Sequence, residues 1–300
     1  MLTLRRLTSL PVLVGALVLV TSLVAGPLRE VDRSLHGFWS DDLTPRWTDF
    51  LDQVPNAVAG QAVCLPALLA VAFFLAWKHR TWRPVLVAAA AEIGFYAVVG
   101  GLKVVLARTS PKADDVSGRF LNGGAAEHGW YGITYPSGHA SEAILFYGAA
   151  AYLIVVYSHP DTRVRRRLGW AMGLIVLNSI GVAYYLGYHW PSDLLGGMLV
   201  GAVVLRAIID ADQWMVRRRT ATLWRQLETA PGRPHPSEAT PAPAAGAVAS
   251  TPSPRTAAAT PAPTREPAHP RTATWRPAKH GTRAPQQAPG RRERDPELVP

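Results

Sequence analysis

Cysteine is almost missing: Cys64 is the single one among 300 residues. That excludes a disulfide framework and any cysteine-based zinc site. Charge is scarce as well, at 17% Asp, Glu, Lys and Arg against roughly 25% in ordinary soluble domains. Acids are the scarcer sign, 21 against 31 Lys and Arg, for a net charge of +10. Aliphatic clusters are missing from residues 231–300, which hold 16 of the 26 prolines. A single soluble globule does not fit, because one part is too apolar and the other cannot build a core. The mean hydropathy of +0.07 averages over that division.

What is present is long apolar runs. A spanning helix needs about 20 mostly apolar residues to cross roughly 30 Å of hydrocarbon. Six stretches qualify, at 9–26, 58–77, 84–106, 138–157, 168–187 and 192–210. They lack period-2 alternation, which predicts helices rather than barrel strands. The expected fold is all-α, a six-transmembrane-helix bundle with a tail. Its parts are an N-terminal segment 1–29 with the first span, a core at 30–215 and a basic tail at 216–300.

The charges orient this bundle. Arg5 and Arg6, then Lys78, Arg80 and Arg83, then Arg163 and Arg165 to Arg167, then Arg217 to Arg219 and Arg225 all fall on one side if there are six spans. Short basic loops stay cytoplasmic, so both termini are expected inside a plasma-membrane protein and 27–57, 107–137 and 188–191 outside. The first span also reads as a cleaved signal peptide ending near Ala25-Gly26, although its apolar run is long for one and the parity needs it. Residues 31–52 read either as an interfacial helix or as a solvated loop with belt aromatics. From about 230 the Pro, Ala, Thr and Arg composition predicts disorder. Its positive charge suits anionic headgroups; nucleic acid is not expected, as no binding motif accompanies the charge.

Three polar clusters fall on the predicted outer face: Lys103 to Pro111 (KVVLARTSP), Tyr135 to His139 (YPSGH) and Tyr185 to Asp193 (YLGYHWPSD). Polar residues at span ends need a reason, and convergence of three is what a site between bundled helices requires. Ser137 and Gly138 lie at a helix start, where free N–H groups favour an anion; Ser137 taken alone reads better as a plain N-cap. His139 follows directly. His189 and Asp193 are four apart, so a carboxylate can fix one ring nitrogen and free the other as base or nucleophile. Separately His189 reads as an interfacial histidine, Asp193 as an N-cap and Lys103 as a snorkelling lysine. Together they favour phosphoryl chemistry. Glu92 and Glu142 are intramembrane acids. Glu142, three residues after His139, reads as support for the site or as an interhelical contact, and Arg206 as a snorkelling residue.

These residues resemble the type 2 phosphatidic acid phosphatase superfamily, which shares its core with vanadium haloperoxidases and bacterial acid phosphatases. Its motifs are Lys, six residues, Arg-Pro; Pro-Ser-Gly-His; and Ser-Arg, five residues, His, three residues, Asp. Pro136 to His139 match the second completely, His189 and Asp193 the end of the third, and Lys103 and Pro111 the two ends of the first. The resemblance spans roughly residues 30–210. Two departures stand out: Ser110 replaces the first motif's arginine, and Val182-Ala183 replace Ser-Arg. Arg108 is the expected replacement for one grip, with Lys112 and Arg119 as weaker ones.

The resemblance implies a mechanism. His189 attacks phosphorus, Asp193 orients it, and His139 protonates the leaving oxygen and then activates water. Lys103 and the backbone at Ser137 and Gly138 hold the phosphoryl oxygens. No metal or other cofactor is implied. The implied substrate is a lipid phosphate: phosphatidate, phosphatidylglycerol phosphate or a polyprenyl diphosphate. The missing arginines keep two alternatives open, a weak or inactive lipid-binding scaffold and a lipid phosphotransferase. A transporter fits less well, with no convincing repeat or broken mid-membrane helix. Oligomeric state is not legible.

Overall fold

The structure is a computed structural model that describes residues 8–113 and 117–228. The chain divides into two units, Met1–Pro234 and His235–Pro300, and the described residues all lie in the first. The expectation of a disordered tail lies outside them, as do Arg5 and Arg6.

Among the described residues every regular element is helical. The principal helices are α1 (Leu10–Ala25), α2 (Leu28–Leu35), α3 (Gln61–His79), α4 (Arg83–Leu106), α5 (Gly138–Ser158), α6 (Thr162–Tyr185) and α7 (Pro191–Glu228). Five continuous helical stretches are long and apolar enough to cross a membrane: Pro45–His79, α4, α5, α6 and Pro191–Gln226. The chain is thus an integral membrane protein. The first expected span is different. The 16 residues of α1 rise only about 24 Å at 1.5 Å each, short of a bilayer core. They form a bent pair with Leu28–Leu43, at 73°, and only as one broken span does this pair make a sixth.

Helix α5 is the hub. It packs on α7, α3 and α6, and half of its most apolar window is buried against 11% for α6. Its contact with α7 depends on small residues. A Cβ on Gly197 would stand 2.6 Å from the Ser137 carbonyl oxygen, and one on Gly201 2.7 Å from that of Ser141. Leu68, Phe146, Leu145, Val99 and Val200 fill the core between α3, α4, α5 and α7. Without water to solvate backbone groups in hydrocarbon, each span closes its own hydrogen bonds, so apolar runs become helices wherever they are long enough.

Two expectations need correction. Residues 31–52 are not one interfacial helix: α2 ends at Leu35, and short helices occupy Trp39–Leu43 and Thr48–Leu51. Gly37 and Pro45 break the run, since the residue before a proline is driven out of the helical region and Thr44 stands at φ −139° and ψ 53°. Nor does the segment only lie on a surface. Asp32 is buried, and Thr44 meets the Tyr185 hydroxyl at 2.9 Å. The boundary placed at 215–216 falls inside α7, which runs unbroken to Glu228. Arg206 is half-buried and pairs with Asp210 at 2.8 Å, an i, i+4 bridge.

Candidate active site

Four helices meet at one end of the bundle around a cavity of about 810 Å³. Its walls are the Phe95–Val104 part of α4, the start of α5, the end of α6 and the Trp130–Thr134 part of the 107–137 loop. Lys103, Gly138, His139, Glu142 and His189 all line it, from three separate stretches of chain. Two π-helical turns border it, Asp52–Asn56 and Phe95–Gly100. Such turns re-aim side chains within a helix and recur at functional sites.

Each side chain is placed by local chain chemistry. Pro136 cannot continue a helix, Ser137 is extended, and its hydroxyl caps α5 by accepting from the Ala140 N–H at 3.5 Å. The helix start leaves the Gly138 and His139 N–H groups without intrahelical acceptors. A Cβ on Gly138 would meet Lys103 Cε at 3.8 Å, so the lysine lies against this backbone. Lys103 Nζ donates to the Ile133 carbonyl at 2.8 Å and to that of Thr134 at 3.5 Å. The Nε2 of His139 is 3.3 Å from where a Cβ on Gly60 would stand, so only glycine there leaves the imidazole uncrowded.

His189 sits outside any helix, in the turn between α6 and α7. Gly187 makes that turn at φ +71°, a conformation favouring glycine. The Nδ1 of His189 faces Asp193 Oδ2 at 3.6 Å, just beyond hydrogen-bond distance, and has no other partner. Asp193 is fully buried behind it. Its Oδ2 accepts from the Trp190 N–H at 3.1 Å and its Oδ1 from Arg108 Nη1 at 2.6 Å. Burial holds the His189 imidazole below its usual 6.5, against the upward pull of Asp193. Neutral at pH 7, with Nδ1 towards the carboxylate, it presents Nε2 as its nucleophilic nitrogen.

The structure does not bring every expected residue to the cavity. Arg108 is wholly buried and committed elsewhere, to Asp193, Ser192 at 2.8 Å, the Gly118 carbonyl at 2.9 Å and Asp32 at 2.7 Å. It does not line the cavity and replaces neither missing grip. The Ser137 N–H donates to the Asp193 carbonyl at 2.9 Å, so of that backbone pair only Gly138 reaches the cavity. Ser110 is buried and donates to the Tyr188 carbonyl at 2.9 Å. Lys112 pairs with Asp41 at 3.5 Å and lies 4.8 Å from the centre of the Tyr188 ring, and Arg119 is exposed. Ala183 does line the cavity, where the third motif has its second arginine.

Sequence reasoning missed Asn56, Gln61, Tyr188 and Asp32. The first three line the cavity; burial, with Asp52 beside it, pushes the Tyr188 phenol up to about 12, so it stays a donor. No spacing rule points to them, since only the tertiary packing brings them to the site. Among the described residues no group of three His, Cys, Asp or Glu could hold a metal ion.

Comparison with known proteins bears on the family and the fold. The sequence model described as PAP2 superfamily matches residues 82–217, which carry Lys103, His139, His189 and Asp193. That stretch is similar to the PAP2 superfamily. Phosphatidylglycerophosphatase B of Bacillus subtilis is 26% identical over 88 residues, which are 29% of this chain and 43% of that protein. The chain therefore spans less than half the length of this curated relative. The crystal structure of the first transmembrane PAP2 type phosphatidylglycerolphosphate phosphatase from Bacillus subtilis superposes with a TM-score of 0.53, at 15% identity, over 68% of this chain and 96% of that one. At that identity the likeness is one of fold, and the fold is the transmembrane PAP2 bundle. The matched stretch carries Lys103, His139, His189 and Asp193, with Ser110 and Ala183 where the resembled motifs have arginine.

Proposed function

We propose that this protein is a membrane lipid phosphatase that cleaves a phosphomonoester or diphosphate of a lipid through a phosphohistidine on His189. The observation that carries the reading is one cavity lined by His139, His189 and Lys103, with Asp193 behind His189. His189 Nε2 attacks phosphorus and displaces the lipid oxygen, which takes a proton from His139. His139 then accepts a proton from water as that water attacks phosphorus, releasing phosphate and restoring His189. Lys103 and the Gly138 N–H hold the phosphoryl oxygens. The names of the Bacillus relatives and the apolar cavity walls support a lipid substrate, with phosphatidylglycerol phosphate, phosphatidate and polyprenyl diphosphates as the class. We read the bundle as six spans, with the α1–α2 pair as the broken first one. The basic clusters at 78–83, 163–167 and 217–219 support a cytoplasmic end opposite the site, and so a site facing outside.

A second reading is favoured by one observation. With Ser110 and Ala183 in the arginine positions and Arg108 turned away, Lys103 is the one fixed cation lining the cavity among the described residues. That suits a slow enzyme or a lipid-binding relative. Purified protein in detergent with EDTA, tested on the three lipid phosphates, separates the two. Phosphate release that falls by roughly 10⁴-fold in His189→Ala supports the phosphatase. Release indifferent to that change, or lipid binding with no turnover on any substrate, overturns it.

A further inference from the structure

We propose that Asp32 is a positioning residue of this site: it anchors the Arg108 guanidinium, and Arg108 in turn holds the Asp193 carboxylate beside His189. The proposal rests on the phosphatase reading. It concerns a residue outside the family-matched part of the chain, in α2, for which neither motif nor spacing gives a role.

The geometry is a closed set of charge-assisted bonds. Asp32 Oδ2 accepts from Arg108 Nη2 at 2.7 Å and from the Ser192 hydroxyl at 2.5 Å; its Oδ1 accepts from the Ser192 N–H at 3.0 Å. Arg108 Nη1 bridges to Ser192 Oγ at 2.8 Å and Asp193 Oδ1 at 2.6 Å. The guanidinium is wedged between aromatic rings, 5.5 Å from the centre of Trp190 and 5.8 Å from that of Phe120. Asp32, Arg108 and Asp193 expose 3% of their side chains or less.

One cation thus stands between two carboxylates in a dry site, which tells what Asp32 does. A guanidinium facing Asp193 alone would draw that carboxylate towards itself and quench its field at His189. Asp32 takes half of the fork and balances half of its charge. Asp193 keeps Oδ2 directed to the Trp190 N–H and His189 Nδ1, and its negative charge remains effective there. The two bonds to Ser192 also seat the first turn of α7, which carries Asp193, on α2. Arg108 lies in the first motif's stretch, yet its work is orientation of the nucleophile and not grip on the phosphate.

Kinetics distinguish positioning from gripping. In detergent, with the substrate found by the panel above, Asp32→Asn is expected to lower kcat by about 10–100-fold through misplacement of the nucleophile. The inhibition constant of orthovanadate, which occupies the phosphoryl pocket, stays within about twofold, since no ground-state contact is lost. Arg108→Lys behaves alike, because an ammonium cannot bridge two carboxylates as a planar fork does. The Asp32→Asn/Arg108→Lys pair falls no more than about threefold below the worse single variant, as expected of residues acting as one unit. Asp32→Glu recovers part of the rate. A wild-type kcat in Asp32→Asn overturns the proposal. So does a weaker vanadate constant at unchanged kcat in Arg108→Lys, which would make Arg108 a grip. Should Asp32→Asn not fold, Ser192→Ala removes the bridging hydroxyl with both charges in place, and a several-fold loss of kcat at constant vanadate affinity is required of it. His189→Ala tells the failures apart: if it retains turnover, the phosphatase reading falls; if it is inert while Asp32→Asn is normal, only the role of Asp32 falls.

Discussion

Among the described residues two arginines are pinned by aspartates from other helices, at opposite ends of the bundle. Arg83, at the start of α4, makes a bidentate pair with Asp212 of α7 at 2.6 and 2.5 Å, and the Tyr152 hydroxyl joins it at 2.5 Å. Arg108, beyond the other end of α4, bonds Asp32 and Asp193. The chemistry is the same, but the neighbours are not. The Arg83 pair borders a cleft of about 460 Å³ with mostly apolar walls and no histidine, and its partners are saturated. The Arg108 cluster ends on a histidine whose Nδ1 is unpartnered and which opens on a larger cavity, also with mostly apolar walls. An ion pair that closes on itself staples α4 to α7. One whose last carboxylate faces an imidazole sets the orientation of a reacting group.

Removing each cation breaks the comparison most forcefully. Arg108→Met leaves two buried carboxylates facing each other and is expected to cost about 3–5 kcal/mol of stability. Arg83→Met leaves the buried Asp212 still bonded to the Tyr152 hydroxyl and costs about 1–3 kcal/mol. Thermal unfolding in one detergent measures both. Phosphate release stays near wild type in Arg83→Met and collapses in Arg108→Met; equal losses would erase the distinction between staple and positioner.

Restoring a family arginine sharpens the picture from the cavity side. Ala183→Arg sets a guanidinium where Ala183 already lines the cavity, and phosphate release is expected to rise by about tenfold or more as transition-state charge gains a clamp. Ser110→Arg is expected to fail. Ser110 is fully buried and bonded to the Tyr188 carbonyl, so the larger side chain disrupts the turn that carries His189. A gain at 110 and none at 183 would reverse this assignment.

The smallest effect is a shift in pH dependence. Because burial keeps His189 below 6.5, its neutral, reactive form persists into mild acid, and the acid limb of kcat/KM lies below pH 6.5. Asp193→Asn removes the upward pull and moves that limb further towards acid while lowering the rate. Lys103 and Arg108 act in the downward sense throughout. An acid limb above 6.5 would mean that Asp193 dominates burial.

Much of this was legible beforehand, and for identifiable reasons. Spans expected at 84–106 and 138–157 appear as Arg83–Leu106 and Gly138–Ser158, because hydrocarbon leaves an apolar run few choices other than a helix. Four residues from Pro136 to His139 and five from His189 to Asp193 carry their geometry locally, through a proline, a cap and a helix start. The first span is expected at 9–26; α1 covers Leu10–Ala25 but passes the length test only together with Leu28–Leu43, at a 73° bend that the apolar run does not announce. Residues 31–52 mix aromatic and charged residues at helical spacing, which reads as an interfacial helix or a solvated loop, whereas burial of Asp32 depends on a partner 76 residues away.

The amino-acid order alone determined where the chain becomes helical and which histidines, lysine and aspartate stand at helix ends, because apolar length and proline, glycine and serine signals act within a few residues. The tertiary structure alone decided what Arg108 does. A guanidinium goes to whichever carboxylates the folded chain sets around it, and Asp32 and Asp193 arrive there from two helices that meet only when the bundle has assembled.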